Sequence, residues 1–154
     1  FDRAKRLLRR PQTPHEEVQL CGRCHRLPED IDPERLQRYP PSVVRFQPVG
    51  LMQSRCYLES DGRLGCLNCH DPHGHVTTRS KAEQVAACRN CHREGEDALC
   101  AAGHIEGCVD CHMRSVEIVP GISFRDHWIR AQPPAVMAPD PEDAASASGE
   151  AVAP

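Results

Sequence analysis

Four times in 154 residues, a pair of cysteines two residues apart is followed at once by histidine. The repeats are Cys21-Gly-Arg-Cys24-His25, Cys66-Leu-Asn-Cys69-His70, Cys88-Arg-Asn-Cys91-His92 and Cys108-Val-Asp-Cys111-His112. One chemistry explains the spacing. Two thiols can add across the two vinyl groups of a haem and become thioethers, and the next residue then lies under the iron as its proximal ligand. The two intervening residues only span the ring edge, so their identity is free to vary, as it does here. Zinc ribbons and disulfide frameworks also use paired cysteines, but neither asks for histidine after every second cysteine. With nine histidines in the chain, four such coincidences have a chance of about one in a hundred thousand. The repeats predict four covalently bound haem c groups. They attach through Cys21 and Cys24, Cys66 and Cys69, Cys88 and Cys91, and Cys108 and Cys111, with His25, His70, His92 and His112 on the irons.

Composition points the same way. Leu, Ile, Val and Phe make up about 19 % of the chain and aromatics 4 %, a level associated with disorder rather than an ordinary core. The net charge of -3 is too small to hold the chain open. Large flat cofactors would supply the missing apolar volume. The expected fold is mainly α with much irregular loop, a small multihaem cytochrome c fold organised around four stacked haems. No strand is expected, and each repeat should open or sit on a short helix. The chain divides into a tetrahaem domain, residues 1–130, and a Pro/Ala-rich acidic tail, residues 131–154, which has no Lys or Arg. Residues 1–10 are basic with one apolar helical face and predict a terminal helix that Pro11 ends. The proline-containing stretch from Pro28 to Pro48 predicts loops and short helices. The first cysteines of the last three repeats are 22 and 20 residues apart. That spacing predicts haems two, three and four as close neighbours, with haem one joined through the longer segment upstream.

Five histidines and three methionines remain for the distal faces. His73 and His75 follow His70 on the same side of that haem and are better placed to reach a neighbouring iron. The same holds for His104, four residues before Cys108. His15 and His127 lie at the two ends of the haem-binding region and can fold back. The expected distal ligands are His15, His73, His104 and His127, with His75 spare, and Met52 or Met113 as a substitute in one place. Saturated irons leave no position for substrate, so the expectation is electron transfer rather than catalysis. The alternative is a small nitrogen-oxide or peroxide reductase with one open iron.

The segment SRCYLESDGRLGCLNCHDPHGH, followed by GCVDCHMR and RDHWI, resembles multihaem c-type cytochromes found beside hydroxylamine oxidoreductase and the so-called doubled CxxCH proteins. The Cys69-His-Asp-Pro-His73 and Cys111-His-Met113 blocks carry the likeness, over about residues 15–130. The resemblance implies electron transfer. It implies that His73 serves another haem as a distal ligand, and Asp126-His127 resembles a downstream Asp-His of that group. Arg114 departs from it, standing where the group often has proline.

Several further expectations follow from the sequence. The longest unbroken apolar run, Ala98 to Ala102, is far short of the ~20 residues of a membrane span. A chain opening on Phe1 reads as a mature exported form, periplasmic or extracellular, whose targeting segment has been removed or lies outside the given sequence. Cys56 and Cys100, the cysteines outside the repeats, are then expected to form a disulfide. Eight haem propionates would make the protein more acidic, favouring basic or neutral redox proteins as partners and disfavouring nucleic acid. Residues 1–10 and 131–154 are oppositely charged, which suggests self-association, a larger complex or a head-to-tail haem filament.

Overall fold

The computed structural model of the chain describes residues 11–74, 79–93 and 107–131. The expected terminal helix, the acidic tail beyond Ala131, His75, Cys100 and His104 lie outside these residues. About half of the described residues are helical, with one small sheet and irregular connections. The helices are α1 (Pro14–His25), α2 (Pro33–Arg38), α3 (Gln47–Gln53), α4 (Arg55–Leu58), α5 (Lys81–Arg89) and α6 (Cys108–His112). Short 3₁₀ turns occupy Pro28–Asp30, Pro41–Val43 and Cys66–Asn68.

Local chemistry sets these boundaries. Thr13 caps α1 by accepting from the Glu16 amide at 3.1 Å, and Pro14 takes the first position, where its missing N–H costs nothing. Asp32 caps α2 through the Glu34 and Arg35 amides, with Pro33 again first. Prolines recur at the starts of helices and turns between residues 28 and 48, so this stretch folds as the short elements expected of it. Ser80 and Glu83 form a reciprocal capping box on α5. Ser80→Ala is expected to cost about 1 kcal/mol, read as a lowered denaturation midpoint with an unchanged slope.

The expectation of no strands fails. Ser115–Val119 (β1) and Ile122–Arg125 (β2) form an antiparallel hairpin that pairs Val116 with Phe124 and Ser115 with Arg125. Val116, Ile118 and Phe124 are half-buried while their neighbours are exposed, the period-two pattern of a strand pair with one covered face. Gly121 makes the turn at φ +79, a conformation that favours glycine. The Arg125 side chain then reaches back to the carbonyls of Val109 and Met113 and to Asp110 at 2.8 Å. A cation at the C-terminal end of α6 suits the helix dipole.

The core is small and lies at one end of the sequence. Ile31, Tyr39, Val43, Val44 and Val49 form one cluster, covered by Leu36, Phe46, Val116, Phe124 and Trp128. Val18, Leu27 and Leu51 form a second, with Met52, Tyr57, Leu64 and Ile129 packed on it. Among the described residues, every buried apolar side chain falls between Val18 and Leu51. Helices α5 and α6 contain no buried residue at all.

Candidate functional site

All four repeats fold as a single helical turn. The first forms the end of α1 and the fourth is α6 itself. In the second, the His70 amide donates to the Cys66 carbonyl at 2.8 Å, and in the third the His92 amide donates to the Cys88 carbonyl at 3.0 Å. Residues three and four apart in a helical turn share a face. Both cysteines and the histidine of a repeat therefore sit on one side of it.

The repeats pack in two pairs. Helix α1 lies on the second repeat: Glu17 accepts from the Leu67 amide at 2.5 Å, and the Cys21 and Cys66 thiols are neighbours. Helix α5 lies on α6, with Lys81 3.2 Å from Asp110 and the Cys88 and Cys108 thiols likewise paired. Cys69 and Cys91 are near enough to interact electrostatically, which brings the second repeat towards the third. Repeat one joins the others at repeat two. The segment between repeats one and two folds into its own core of Val18, Leu27 and Leu51. That core carries α1 back onto the second repeat, so sequence distance does not become spatial distance.

Burial pushes the Cys66 thiol up to about 12 and the Cys88 thiol up to about 11. Cys56 and Cys69 are raised by the same cause. Cys56 is half-buried, and its expected partner Cys100 is outside the described residues.

The imidazoles are held by their Nδ1 atoms. His25 Nδ1 lies 2.8 Å from Gln47 Oε1, His112 Nδ1 2.8 Å from the Arg130 carbonyl, and His127 Nδ1 3.0 Å from the Arg125 carbonyl. A carbonyl oxygen only accepts, so each Nδ1 carries the proton and Nε2 keeps its lone pair, the tautomer that a metal ligand needs. His15 Nδ1 is 3.2 Å from the Tyr57 hydroxyl. His73 is in an Asx turn on Asp71 with its side chain 93 % exposed.

His70 and His127 come together across the fold. Their ring centroids are 6.0 Å apart and their planes differ by 26°. Two imidazoles on opposite sides of one metal ion, each with a metal–nitrogen bond of about 2 Å, have centroids roughly 6 Å apart. Burial lowers the pKa of both, with the Arg79 charge adding to the effect on His70. Both are therefore neutral at pH 7, as ligation requires. Arg79 also donates to the Cys69 carbonyl.

Between α5 and α6 lies an open cleft of about 720 Å³, walled by Ala82, Val85 and Ala86 with Lys81, Arg89 and Asp110 at its polar side. This volume is in the range of small-molecule sites. Its apolar wall suits the face of a macrocycle and its cations suit carboxylates. Among the described residues no three His, Cys, Asp or Glu side chains converge as an all-protein metal site would require. A haem iron needs only two protein ligands, so the donor set fits haem: a thiol pair and one imidazole in each repeat, and a second imidazole at His127.

Comparison with protein-family models, curated proteins and solved structures finds no match. The site therefore stands on its own residues. The sequence singled out the four repeats and His127; the residues that contact the histidines and cysteines, Gln47, Tyr57, Arg79 and Arg130, carry no motif. Asp126 had a signal, its place beside His127.

Proposed function

We propose that the chain is a tetrahaem c-type cytochrome that conducts electrons outside the cytoplasm. The His70–His127 pair carries this reading. A second imidazole is brought from far along the chain to the imidazole of a repeat, at the spacing of two ligands on one metal. Saturated ligation favours electron transfer with little rearrangement, whereas catalysis needs an open position. The lack of any buried residue in α5 and α6 supports the same reading, since those helices need a cofactor to pack on.

Cys21, Cys24, Cys66, Cys69, Cys88, Cys91, Cys108 and Cys111 would attach the haems, and His25, His70, His92 and His112 would ligate them. When bound, haem supplies a reversible one-electron couple. Gln47 and the Arg130 carbonyl fix the tautomer and orientation of His25 and His112. The packing of the repeats supports an order, from repeat one to repeat four, in which the bound haems would be neighbours. No helix of the described residues is long and apolar enough to cross a membrane. In this proposal the electrons pass to and from redox proteins, within an assembly that can extend as a filament.

The test is mass spectrometry of the protein made by cells that attach haem c. Four haem additions should survive acid and organic solvent, one per repeat. A native product with fewer than four, or with bound zinc in their place, sinks the proposal.

A further inference from the structure

The stretch from Asp126 to Arg130 is held more tightly than a terminal loop requires. Asp126 is buried. Its Oδ1 accepts from the Tyr39 hydroxyl at 2.8 Å and from the Trp128 amide at 2.9 Å. Its Oδ2 takes the Arg130 guanidinium at 2.5 Å, and its own amide donates to the Arg114 carbonyl at 2.8 Å. Arg130 in turn lies over the rings of Trp128 and Tyr39, which meet edge to face at 4.8 Å.

The other side of the stretch is held by α3 and the residue that ends it. Ser54 Oγ donates to the His127 carbonyl at 3.0 Å and accepts from the Ile129 amide at 2.8 Å. Gly50 sits so close that a Cβ there would come within 2.6 Å of the Trp128 amide nitrogen and 2.8 Å of the His127 carbonyl carbon. The backbone on both sides of His127 is therefore pinned.

Stability alone does not explain this arrangement. A buried ion pair is weak evidence for stability, because desolvation offsets much of the attraction. Tyr39 is also held at φ +46, an unfavourable backbone for a bulky residue, and such strain persists only where the surroundings over-determine it. The polar groups instead converge on the segment that carries His127.

We propose that Asp126, with Tyr39 and Arg130, is the positioning group that presents His127 to the iron carried by the second repeat, opposite His70. The inference rests on the haem reading above. Asp126 fixes the turn through Trp128. Tyr39 ties it to the main core. Arg130 joins it to the fourth repeat, because its backbone carbonyl accepts from His112 while its side chain holds Asp126. One network thus sets the ligation of the second repeat and the orientation of a ligand in the fourth.

The test uses the haem-loaded protein and reads carbon monoxide binding and spin state. The wild type should carry four low-spin haems and ignore carbon monoxide. Asp126→Ala should keep four haems but bind about one carbon monoxide per chain when reduced, and added imidazole should restore the low-spin spectrum. Asp126→Asn keeps both acceptor contacts of Oδ1 and should stay largely low-spin. Tyr39→Phe keeps the ring, removes one hydrogen bond, and should show a carbon-monoxide-reactive minority even if Asp126→Ala does not accumulate. Both Asp126→Ala and Tyr39→Phe remaining carbon-monoxide-silent overturns the proposal. So does reactivity spread over all four haems, which marks general loosening. A wild type that lacks four haems overturns the haem reading itself and is seen before any variant is made.

Discussion

Made without attached haem, the chain is expected to show no cooperative unfolding transition. Among the described residues, the buried apolar side chains all lie between Val18 and Leu51. The described part of residues 66–112, which holds three of the four repeats, contributes none of them. Helix α5 has nine residues and a good cap but buries nothing, and isolated helices below ~12–15 residues are marginal in water. Folding must offset roughly 1–2 kcal/mol of backbone entropy per residue, and this region has no apolar burial of its own with which to do so. Circular dichroism of a variant with all eight repeat cysteines changed to alanine should show low helicity and a gradual thermal response. Hydrogen exchange should leave residues 79–93 and 107–112 unprotected, with some protection surviving around Val43 to Leu51. A sharp two-state transition in that variant would falsify the view that haem supplies the missing core.

Gly50→Ala is expected to destabilise the haem-loaded protein by about 3 kcal/mol, at the upper end for overpacking. The added Cβ would lie within 2.8 Å of the Trp128 amide nitrogen, the Tyr39 hydroxyl and the His127 carbonyl carbon. Two of these three are backbone atoms, which cannot swing aside as a side-chain tip can. Gly62 is the control. It has φ +72 with nothing near its missing Cβ, so Gly62→Ala should cost only the left-handed backbone penalty, about 1–2 kcal/mol. Denaturant midpoints followed by far-ultraviolet circular dichroism separate the two. The Gly50 substitution should also make part of the protein reactive to carbon monoxide, because the displaced backbone carries His127. Equal costs at the two glycines would show that α3 yields freely and does not clamp the 127–128 backbone.

The repeats themselves were readable in sequence because they are local. Two cysteines and a histidine at that spacing fit within one helical turn, and the structure gives each repeat such a turn. The short elements between Pro28 and Pro48 were equally readable, since proline and the Asp32 cap act on their immediate neighbours. The hairpin was missed although Val116, Ile118 and Phe124 alternate, because the run Val-Glu-Ile-Val is short and Pro-Gly follows it. Two-stranded sheets depend on what covers their face, and here that cover is the Val43–Val44 cluster, remote in sequence.

Residue order by itself determined the number of repeats, the donor atoms each offers, the poverty of apolar material and the side-chain caps that Thr13, Asp32 and Ser80 supply. These depend on covalent spacing and on contacts within about one turn. Only the tertiary structure decided that repeat one sits on repeat two, that His127 faces His70, and that Gln47 and the Arg130 carbonyl steady two other imidazoles. Those choices come from the folding of residues 26–65 into a core and from Asp126 reaching Tyr39 across 87 positions. Spacing along the chain carries no record of such long-range contacts, because they depend on which buried groups find partners once the core has closed.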